Sequence, residues 1–224
     1  MLTEHRLPSE VATPRLTLRL WTAADVDVLA AAVAESLEHL RPWMWWVADE
    51  PLDGEARRRM LTANERDWAA GGDAVYGMFE RSAGGGPGTV VGGCGLHRRR
   101  GPDVLEVGYW VHAAHLGRGL ATEASRGLTD AAFAQPGIVR VEIHHDRANG
   151  RSRAVPERLG FTFAGESPDT AHAPAEVGID CAWQITAAAW SGGAAPRPRG
   201  AVGVSTGWSS ASRARSRRGA RRGG

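Results

Sequence analysis

The sequence predicts an α/β (α+β) domain built on a mixed, mostly antiparallel central sheet with flanking helices. Residues 15–21 alternate Leu16, Leu18 and Leu20 with polar residues, which is the period of a strand with one buried face. Three extended segments later follow one another through short turns, and turns this short favour antiparallel neighbours. A strand, helix, strand unit then completes the mixed pattern.

Two helices are predicted between the first strand and these extended segments. Residues 25–34 form the first helix. Residues 55–70 form the second, which ends at glycines 71–72, where a left-handed C-terminal cap is easy for glycine. The extended segments cover residues 74–81, 89–98 and 104–111, with turns at 84–88 and 100–103.

The next helix is predicted over residues 120–134, because apolar residues recur on one helical face before a Pro-Gly pair. Pro156 lies in a shorter predicted helix, 152–159. Proline is tolerable there if that helix begins at Ser152 or later, since the first turn of a helix lacks intrahelical donors. The remaining predicted strands cover residues 138–145, 161–165 and 177–185.

Composition is typical of a soluble protein with one domain. Of the 224 residues, 42% are hydrophobic and 23% charged, which is enough to bury one sizeable core. No run of about 18 apolar residues occurs, so we expect no membrane segment and a cytoplasmic location. Cys94 and Cys181 lie far apart and lack metal-ligand spacing with histidine, so we expect neither a disulfide framework nor a metal site.

Charge is distributed unevenly along the chain. Residues 191–224 carry eight arginines and no acid, so the net charge of +2 for the whole chain leaves −6 for residues 1–190. This Gly-, Ser- and Arg-rich tail has too few large apolar groups to repay the entropy of ordering, and we predict that it is disordered. We expect a flexible N-terminus over residues 1–12 and a folded domain over 13–190.

A glycine-rich turn joins the third extended segment to the 120–134 helix. Glycine lets the backbone approach an anion, and the first N–H groups of a helix have no internal partner, so a diphosphate fits there. By itself the turn favours a capped helix after a loop over an anion site, and it is neither a Walker loop nor a full dinucleotide fingerprint. Its six positions are Gly117, Arg118, Gly119, Leu120, Ala121 and Thr122.

Several short motifs follow one another in order between residues 13 and 190. They are Thr13-Pro14-Arg15-Leu16, Ser36-Leu37-Glu38-His39-Leu40-Arg41-Pro42-Trp43, Glu106-Val107-Gly108-Tyr109-Trp110-Val111, the glycine turn, Glu123-Ala124, Asn149-Gly150-Arg151-Ser152-Arg153, Arg158-Leu159-Gly160-Phe161, and Asp180, Trp183, Thr186 and Trp190. In these motifs the chain resembles the GCN5-related N-acetyltransferases (GNAT), in particular their RimJ/RimL-like branch.

The resemblance implies acetyl-CoA as the co-substrate and no metal. In this family the fourth and fifth strands, here residues 104–111 and 138–145, splay apart to hold the pantetheine arm, and the pyrophosphate lies on the glycine turn. Backbone groups of Val111 and Ala113 are then expected to bond the pantetheine and the thioester, which polarises the carbonyl as an oxyanion hole does. Leu116 departs from the Gln or Arg common at its position, and Arg118 can compensate.

The resemblance also implies catalytic residues. Asn149 would contact the pantetheine and the Ser152 hydroxyl would protonate the CoA thiolate, although either residue could simply cap the short helix. The glutamate that serves as base in related enzymes is replaced by Ala171. Glu106 is our first choice for that base, with Glu176 and Asp169 as substitutes, and a solvated carboxylate on a sheet face is an equally good interpretation of Glu106.

The acceptor side carries no decisive motif. Trp43, Trp46 and Tyr109 are predicted to contact the substrate, since an aromatic wall suits an apolar or cationic group. The cluster of Trp43, Trp45 and Trp46 could equally be core or a dimer surface. We interpret His144 and His145 as surface residues of their strand, because their spacing is not that of zinc ligands.

The sequence therefore predicts an acetyl-CoA-dependent N-acetyltransferase, acting as a monomer or homodimer. Its acceptor would be a protein N-terminal amine of the ribosomal-protein type or a small-molecule amine. One alternative is a degenerate module that binds acyl-CoA without turnover. Another is an RNA-associated protein acting through the basic tail. Trp208 is the one aromatic residue among the tail arginines, which makes nucleic-acid binding the weaker interpretation.

Overall fold

A computed structural model describes residues 6–82 and 88–192 of the chain. These ranges contain eight strands and six α-helices. The strands are β1 (Glu10–Ala12), β2 (Leu16–Leu20), β3 (Ala74–Glu80), β4 (Val90–His97), β5 (Val104–Val111), β6 (Arg140–Asp146), β7 (Thr162–Pro168) and β8 (Ile179–Thr186). The helices are α1 (Val26–Ala34), α2 (Leu37–Leu40), α3 (Gly54–Ala69), α4 (Leu120–Phe133), α5 (Gly150–Leu159) and α6 (Ala187–Gly192).

All eight strands form one sheet in the order β1-β2-β3-β4-β5-β6-β8-β7. Neighbouring strands are antiparallel except β5 and β6, which are parallel and are connected through α4. Parallel pairing covers only residues 104–106 of β5 against 140–142 of β6, after which the two strands separate. The mixed, mostly antiparallel sheet and the splay of these two strands are thus as predicted.

The sheet has a hydrophobic cluster on each face. Met78 and Phe79 are neighbours on β3, where successive side chains point to opposite faces, and they belong to different clusters. Leu120 and Leu128 of α4 pack in the cluster of Met78, and Leu61 of α3 packs in that of Phe79. The protein is therefore a sheet covered by α4 on one side and by α3 on the other.

The N-terminal segment is more ordered than predicted. Residues 6–12 are not flexible: β1 pairs with β2, and the Leu7 side chain is only 1% exposed. The Tyr76 hydroxyl donates to the Pro8 carbonyl at 2.7 Å, and the Trp68 indole N–H donates to the Leu7 carbonyl at 2.8 Å. The expectation of flexibility over 1–12 is wrong for residues 6–12, because a single buried leucine and two side-chain donors hold this segment.

Several predictions fall outside the described residues. They concern residues 1–5, most of the predicted turn at 84–88, and the basic tail beyond residue 192. At its C-terminal end the described domain continues past the last predicted strand into α6, so it extends slightly beyond residue 190.

Candidate active site

The separation of β5 from β6 opens a wedge in the middle of the sheet. β5 continues to Val111 and β6 to Asp146, well beyond their last paired residues, Glu106 and Glu142. The N-terminus of α4 follows β5 through the glycine turn, and the N-terminus of α5 follows β6. Two helix N-termini therefore lie at the ends of the strands that border the wedge.

The glycine turn has the backbone that an anion cradle requires. Gly117 and Gly119 have φ angles of +75° and +74°, and Gly119 is the left-handed N-cap of α4. The backbone N–H of Glu123 bonds to the Gly119 carbonyl at 3.1 Å, so the N–H groups of the preceding residues, 120–122, remain available at the helix N-terminus. The structure thus brings all six predicted positions of the turn together.

The segment that leads into β2 lies directly beside this turn. One oxygen of the Glu123 carboxylate accepts hydrogen bonds from the Thr13 hydroxyl and the Arg15 N–H, both at 2.7 Å. The Arg15 guanidinium pairs with the other oxygen and also donates to the Arg118 carbonyl at 3.0 Å. Burial opposes the charge of Glu123, but these bonds outweigh it and lower its pKa. Glu123 and Arg15 together therefore connect the first turn of α4 to the glycine turn and to the start of β2.

Arg118 is engaged by side chains of its own chain. Its guanidinium forms an ion pair with Glu80 and contacts the His115 imidazole at 2.8 Å. The hydrogen bond to Glu80 is the main cause of the lowered pKa of that carboxyl. Arg118 would have to exchange Glu80 for a phosphate to play the role expected from the sequence.

A cavity of about 1070 Å³ runs along the glycine turn and along α4 and α5. We call it the basic cavity, because its walls carry more arginines than acids. The arginines are Arg118, Arg126, Arg151 and Arg158, and the acids are Glu123 and Asp130. Since Glu123 is already paired with Arg15, the cavity favours a ligand with several negative charges.

A second cavity of about 570 Å³ lies on the other side of the wedge. We call it the acidic cavity. Its acids are Glu50, Glu106, Asp146, Asp169, Glu176 and Asp180, against the arginines Arg57, Arg99 and Arg100. The two cavities meet, because six residues line both of them: Trp43, Met44, Tyr109, Trp110, Asn149 and Ser152.

Tyr109 and Ser152 face each other at this junction. The Tyr109 hydroxyl lies 3.0 Å from the Ser152 hydroxyl and 3.0 Å from the Ser152 carbonyl oxygen. Burial raises the pKa of Tyr109 and the hydrogen bond to Ser152 only partly offsets this, so the phenol stays protonated. Asn149 caps α5 by accepting the Ser152 N–H at 3.1 Å, which leaves its amide N–H groups free to donate.

The helix that carries Ser152 begins two residues earlier than predicted. It starts at Gly150, so Pro156 is an interior residue of α5 and not part of its first turn. Proline has no N–H, and the carbonyl four residues before it, that of Ser152, therefore lacks its helical partner. Tyr109 supplies the missing donor, which is why proline is tolerated at this position.

At the end of β5, Val111 and Ala113 were both predicted to bind the acetyl donor through their backbone, but they differ in whether their backbone groups are available. Val111 is the last residue of β5 and lines the basic cavity. The Ala113 N–H already donates to the buried Ser36 hydroxyl at 3.1 Å, so that donor is not free. Ser36 is the first residue of the 36–43 motif, and this bond connects that motif to the loop after β5.

The three carboxylates considered as bases all line the acidic cavity. Glu106 is held by Arg100 at 2.8 Å and lies 3.8 Å from Arg99. Glu176 accepts the N–H groups of residues 172 and 173 at 2.6 and 2.9 Å, and so shapes its own loop. Among the described residues, the Asp169 carboxylate accepts a single N–H, that of the next residue.

The tryptophan cluster divides among different environments. Trp43 lines both cavities, whereas Trp46 packs against Trp110 with ring centroids 6.1 Å apart. Trp45 is 65% exposed at the edge of the acidic cavity. A methyl group at Gly93 on β4 would lie 2.4 Å from the Trp110 indole nitrogen, so the glycine leaves room for this aromatic wall.

His144 and His145 are not the surface residues that the sequence suggested. His145 is 7% exposed and accepts the Trp183 indole N–H at 3.0 Å. His144 lies between Asp180, at 2.7 Å, and Glu142, at 2.9 Å. Burial opposes charge on His144, but the hydrogen bonds to these two carboxylates outweigh it and raise its pKa. The predicted alternation of buried and less buried residues along β6 is present. Both histidines are nevertheless covered, because Asp180 and Trp183 of the neighbouring strand β8 contact them.

Sequence reasoning also missed Asp146, which connects two loops of the site. One carboxylate oxygen accepts the Ala148 N–H at 2.8 Å, beside Asn149. The other accepts three N–H groups, of residues 177, 178 and 179, at 2.9–3.2 Å. Burial opposes this charge, but the N–H groups lower the pKa of Asp146. Its position at the end of a strand, three residues before Asn149, was the only signal available.

The chain belongs to the GNAT acetyltransferase family. Residues 15–162, from β2 through the glycine turn and α5, match the family model described as "Acetyltransferase (GNAT) domain". The family inferred from the sequence motifs is thereby confirmed, and the protein is an acetyltransferase. Within residues 6–82 and 88–192, no group of three or more His, Cys, Asp or Glu side chains is arranged to hold a metal ion, and no helix is long and apolar enough to cross a membrane.

The relatives include the predicted RimJ/RimL-like branch. "Putative ribosomal N-acetyltransferase YdaF" of Bacillus subtilis (strain 168) is 29% identical over 156 residues, which are 69% of this chain and 81% of that protein. A crystal structure described as a probable acetyltransferase is 26% identical, with a TM-score of 0.70 over 79% of this chain and 96% of that one. Mycobacterium smegmatis RimJ in complex with CoA-disulfide is 21% identical, with a TM-score of 0.68 over 81% and 88%.

Proposed function

We propose that this acetyltransferase transfers the acetyl group of acetyl-CoA to the N-terminal amine of a protein, of the ribosomal-protein type. The observation that carries the proposal is the meeting of a basic and an acidic cavity at Tyr109 and Ser152. One cavity suits a polyanionic acetyl donor and the other a cationic amine. Their junction is the place where the two substrates would react.

The donor side fits CoA in three respects. Backbone N–H groups of residues 120–122 at the N-terminus of α4 would bind the pyrophosphate, as helix N-termini bind phosphates. The cavity arginines, including Arg118 once it leaves Glu80, would balance the remaining phosphate charge. The free strand edge that ends at Val111 would bond the pantetheine, and the Asn149 amide can donate to the same arm.

The acceptor side fits an ammonium group. Six carboxylates against three arginines give the acidic cavity a negative potential, which attracts a positively charged N-terminus. Trp43 and Tyr109 at the junction add an aromatic wall that suits a cation. The B. subtilis relative is named for ribosomal N-acetylation, which supports a protein acceptor over a small-molecule amine. A ribosomal acceptor would also place the enzyme in the cytoplasm.

The bound ammonium group must first lose one proton to solvent, because only the neutral amine has a lone pair for attack. During the transfer the nitrogen loses a second proton, and the sulfur gains one. The amine nitrogen attacks the thioester carbonyl carbon, so that a C–N bond forms and the C–S bond breaks. Ser152 is placed to protonate the departing thiolate, and Tyr109 positions its hydroxyl. Glu106, in the acidic cavity, would receive the amine proton, with Asp169 as the less encumbered substitute.

The test is acetyl transfer by the full chain. We expect thiol release from acetyl-CoA in the presence of unblocked hexapeptides beginning with Ser or Ala, with mass spectrometry placing the acetyl group on the α-amine. Ser152→Ala should lower kcat by about 10²-fold or more with a nearly unchanged KM for acetyl-CoA. Binding of CoA without turnover across peptides and small amines would instead indicate a degenerate acyl-CoA-binding module.

The basic tail supports a separate, weaker alternative. Eight arginines in residues 191–224 would bind RNA phosphates with a strong dependence on salt. Retention of RNA by the full chain, and its loss in a chain truncated after residue 192, would favour this function. Equal acetyl transfer and no RNA retention in either chain would exclude it.

A further inference from the structure

Arg57 is a buried arginine in the acceptor half of the molecule. It lies in the first turn of α3, and its side chain is only 3% exposed. It nevertheless lines the acidic cavity, together with Glu50, Asn64 and Trp46. No motif of the sequence pointed to it, because Arg58 and Arg59 follow directly and all three look alike in the sequence.

The hydrogen bonds of Arg57 leave part of its guanidinium unused. Nη2 donates to both oxygens of Glu50, at 3.0 and 2.7 Å, and Glu50 also accepts the Leu52 N–H at 2.8 Å. The buried Nε has no partner, and Nη1 makes no hydrogen bond within residues 6–82 and 88–192. A buried donor without a partner is costly, so these groups are suited to a ligand that enters the cavity.

Charge determines which ligand suits Arg57. Glu50 already neutralises the guanidinium, and both side chains are 3% exposed. A carboxylate added here would leave a net negative charge buried, in a cavity that already has more acids than arginines. An uncharged oxygen can accept the free N–H groups and adds no charge.

We propose that Arg57 is a specificity residue that binds an uncharged oxygen of the amine acceptor. This oxygen is either the first peptide carbonyl or a side-chain hydroxyl of the N-terminal residue. The proposal rests on the proposed function, because it places the acceptor in the acidic cavity. Arg57 would then favour peptides over simple amines that carry no such oxygen.

The test compares four amines with matched oxygens. A hexapeptide beginning with Ala offers the carbonyl, one beginning with Ser offers both oxygens, ethanolamine offers a hydroxyl, and propylamine offers neither. The main variant is Glu50→Gln/Arg57→Met, which replaces the buried pair by neutral residues of similar size, an exchange that proteins often tolerate. Arg58→Met, on the exposed side of the same helix, is the matched control.

We expect the double variant to lose about 10- to 100-fold in kcat/KM with the peptides, mainly through KM, and almost nothing with propylamine. Loss with both peptides but not with ethanolamine identifies the carbonyl. Loss with ethanolamine and the Ser peptide alone identifies the hydroxyl. The same factor for all four amines, or no loss at all, overturns the proposal.

Peptide binding provides a readout that does not require turnover. Titration calorimetry of the Ala and Ser hexapeptides in the presence of CoA should show weaker binding to the double variant than to Arg58→Met. Binding that is weakened in this way, in a protein that never acetylates, would contradict the proposed function but support the role of Arg57. Absence of peptide binding to the unmodified chain overturns the inference.

Discussion

The Tyr109 hydroxyl bridges to α5 by lying 3.0 Å from both the carbonyl oxygen and the hydroxyl of Ser152. The carbonyl has no hydrogen bond within the helix, because Pro156, four residues later, has no N–H to donate. Tyr109 belongs to β5 and Ser152 to the helix after β6, so this contact spans the wedge. A residue of one strand thus fixes the candidate proton donor that follows the other.

Tyr109→Phe should lower kcat by about tenfold or more, because Ser152 loses the group that orients its hydroxyl. The KM for acetyl-CoA should change little, since the glycine turn is untouched. Loss of the bond to a buried carbonyl should also cost about 1–3 kcal/mol of unfolding free energy. Steady-state kinetics and urea unfolding measure the two effects.

Tyr76→Phe is the matched control for this variant. The Tyr76 hydroxyl also donates to a carbonyl, that of Pro8 at 2.7 Å, which belongs to the N-terminal segment and not to α5. It should cost comparable stability and leave kcat intact. A Tyr109→Phe enzyme as active as Tyr76→Phe would show that Tyr109 has only a structural role.

Gly119→Ala should raise the KM for acetyl-CoA. An alanine at φ +74° is strained by about 1–2 kcal/mol, and it would distort the N-terminus of α4 where the pyrophosphate is proposed to bind. Gly137→Ala introduces the same strain at φ +82°, beyond the other end of α4 and with open space around it. The two variants should lose similar stability. If the KM for acetyl-CoA rises equally in both variants, the glycine turn has no specific role in CoA binding.

Glu106→Gln should lower kcat by about 10²-fold or more, because an amide cannot accept the amine proton. The remaining rate should rise with pH as more of the amine becomes unprotonated in solution. Glu142→Gln removes a neighbouring carboxylate that is paired with Arg140 in a similar way, and it should retain most of the activity. If Glu106→Gln keeps kcat within about threefold, the proton goes elsewhere, and Asp169 is the next residue to test.

The His144 contacts predict a stability that depends on pH. The pKa of His144 is raised in the folded protein, so its contribution is complete below the unfolded pKa of about 6.5 and is lost as pH rises through the folded pKa. His144→Gln should therefore cost about 1.5–3 kcal/mol at pH 6 and much less at pH 9, measured by urea unfolding. A cost that does not change between these pH values would mean that His144 is uncharged.

His39 offers a control of opposite sign. Burial, with a smaller contribution from Arg151, lowers the pKa of His39, so its charging at low pH works against folding. The free energy of unfolding of His39→Gln, relative to that of the unmodified chain, should therefore be higher at pH 6 than at pH 9. The two histidine variants should differ in the direction of their pH dependence.

Local features of the site were predictable from the sequence. The glycine turn was found because its six residues are contiguous and their backbone geometry depends on glycine at residues 117 and 119. The alternation in β2 and β6 identified these segments as strands, since strand periodicity is a local property. The short turns between β3, β4 and β5 predicted that these three strands are antiparallel neighbours. Asn149 and Ser152 were found through the resemblance to the GNAT family, which implied their roles.

Contacts between distant residues were not predictable. Nothing in the sequence pairs Tyr109 with Ser152, or Ser36 with the N–H of Ala113, because these partners meet only when the sheet has formed. His144 looked exposed because one strand does not reveal the carboxylates of its neighbours. Residues 6–12 looked flexible because β1 is three residues long and lacks a pattern of its own.

The most direct test of the account is the binding of a bisubstrate conjugate, in which CoA is joined through its acetyl group to the α-amine of an Ser- or Ala-initiated hexapeptide. If the basic and acidic cavities meet at Tyr109 and Ser152, one molecule can occupy both. The conjugate should then compete with acetyl-CoA and with peptide, and bind about 10²-fold or more tightly than the peptide alone. A conjugate that binds no better than CoA and does not compete with peptide would contradict the account.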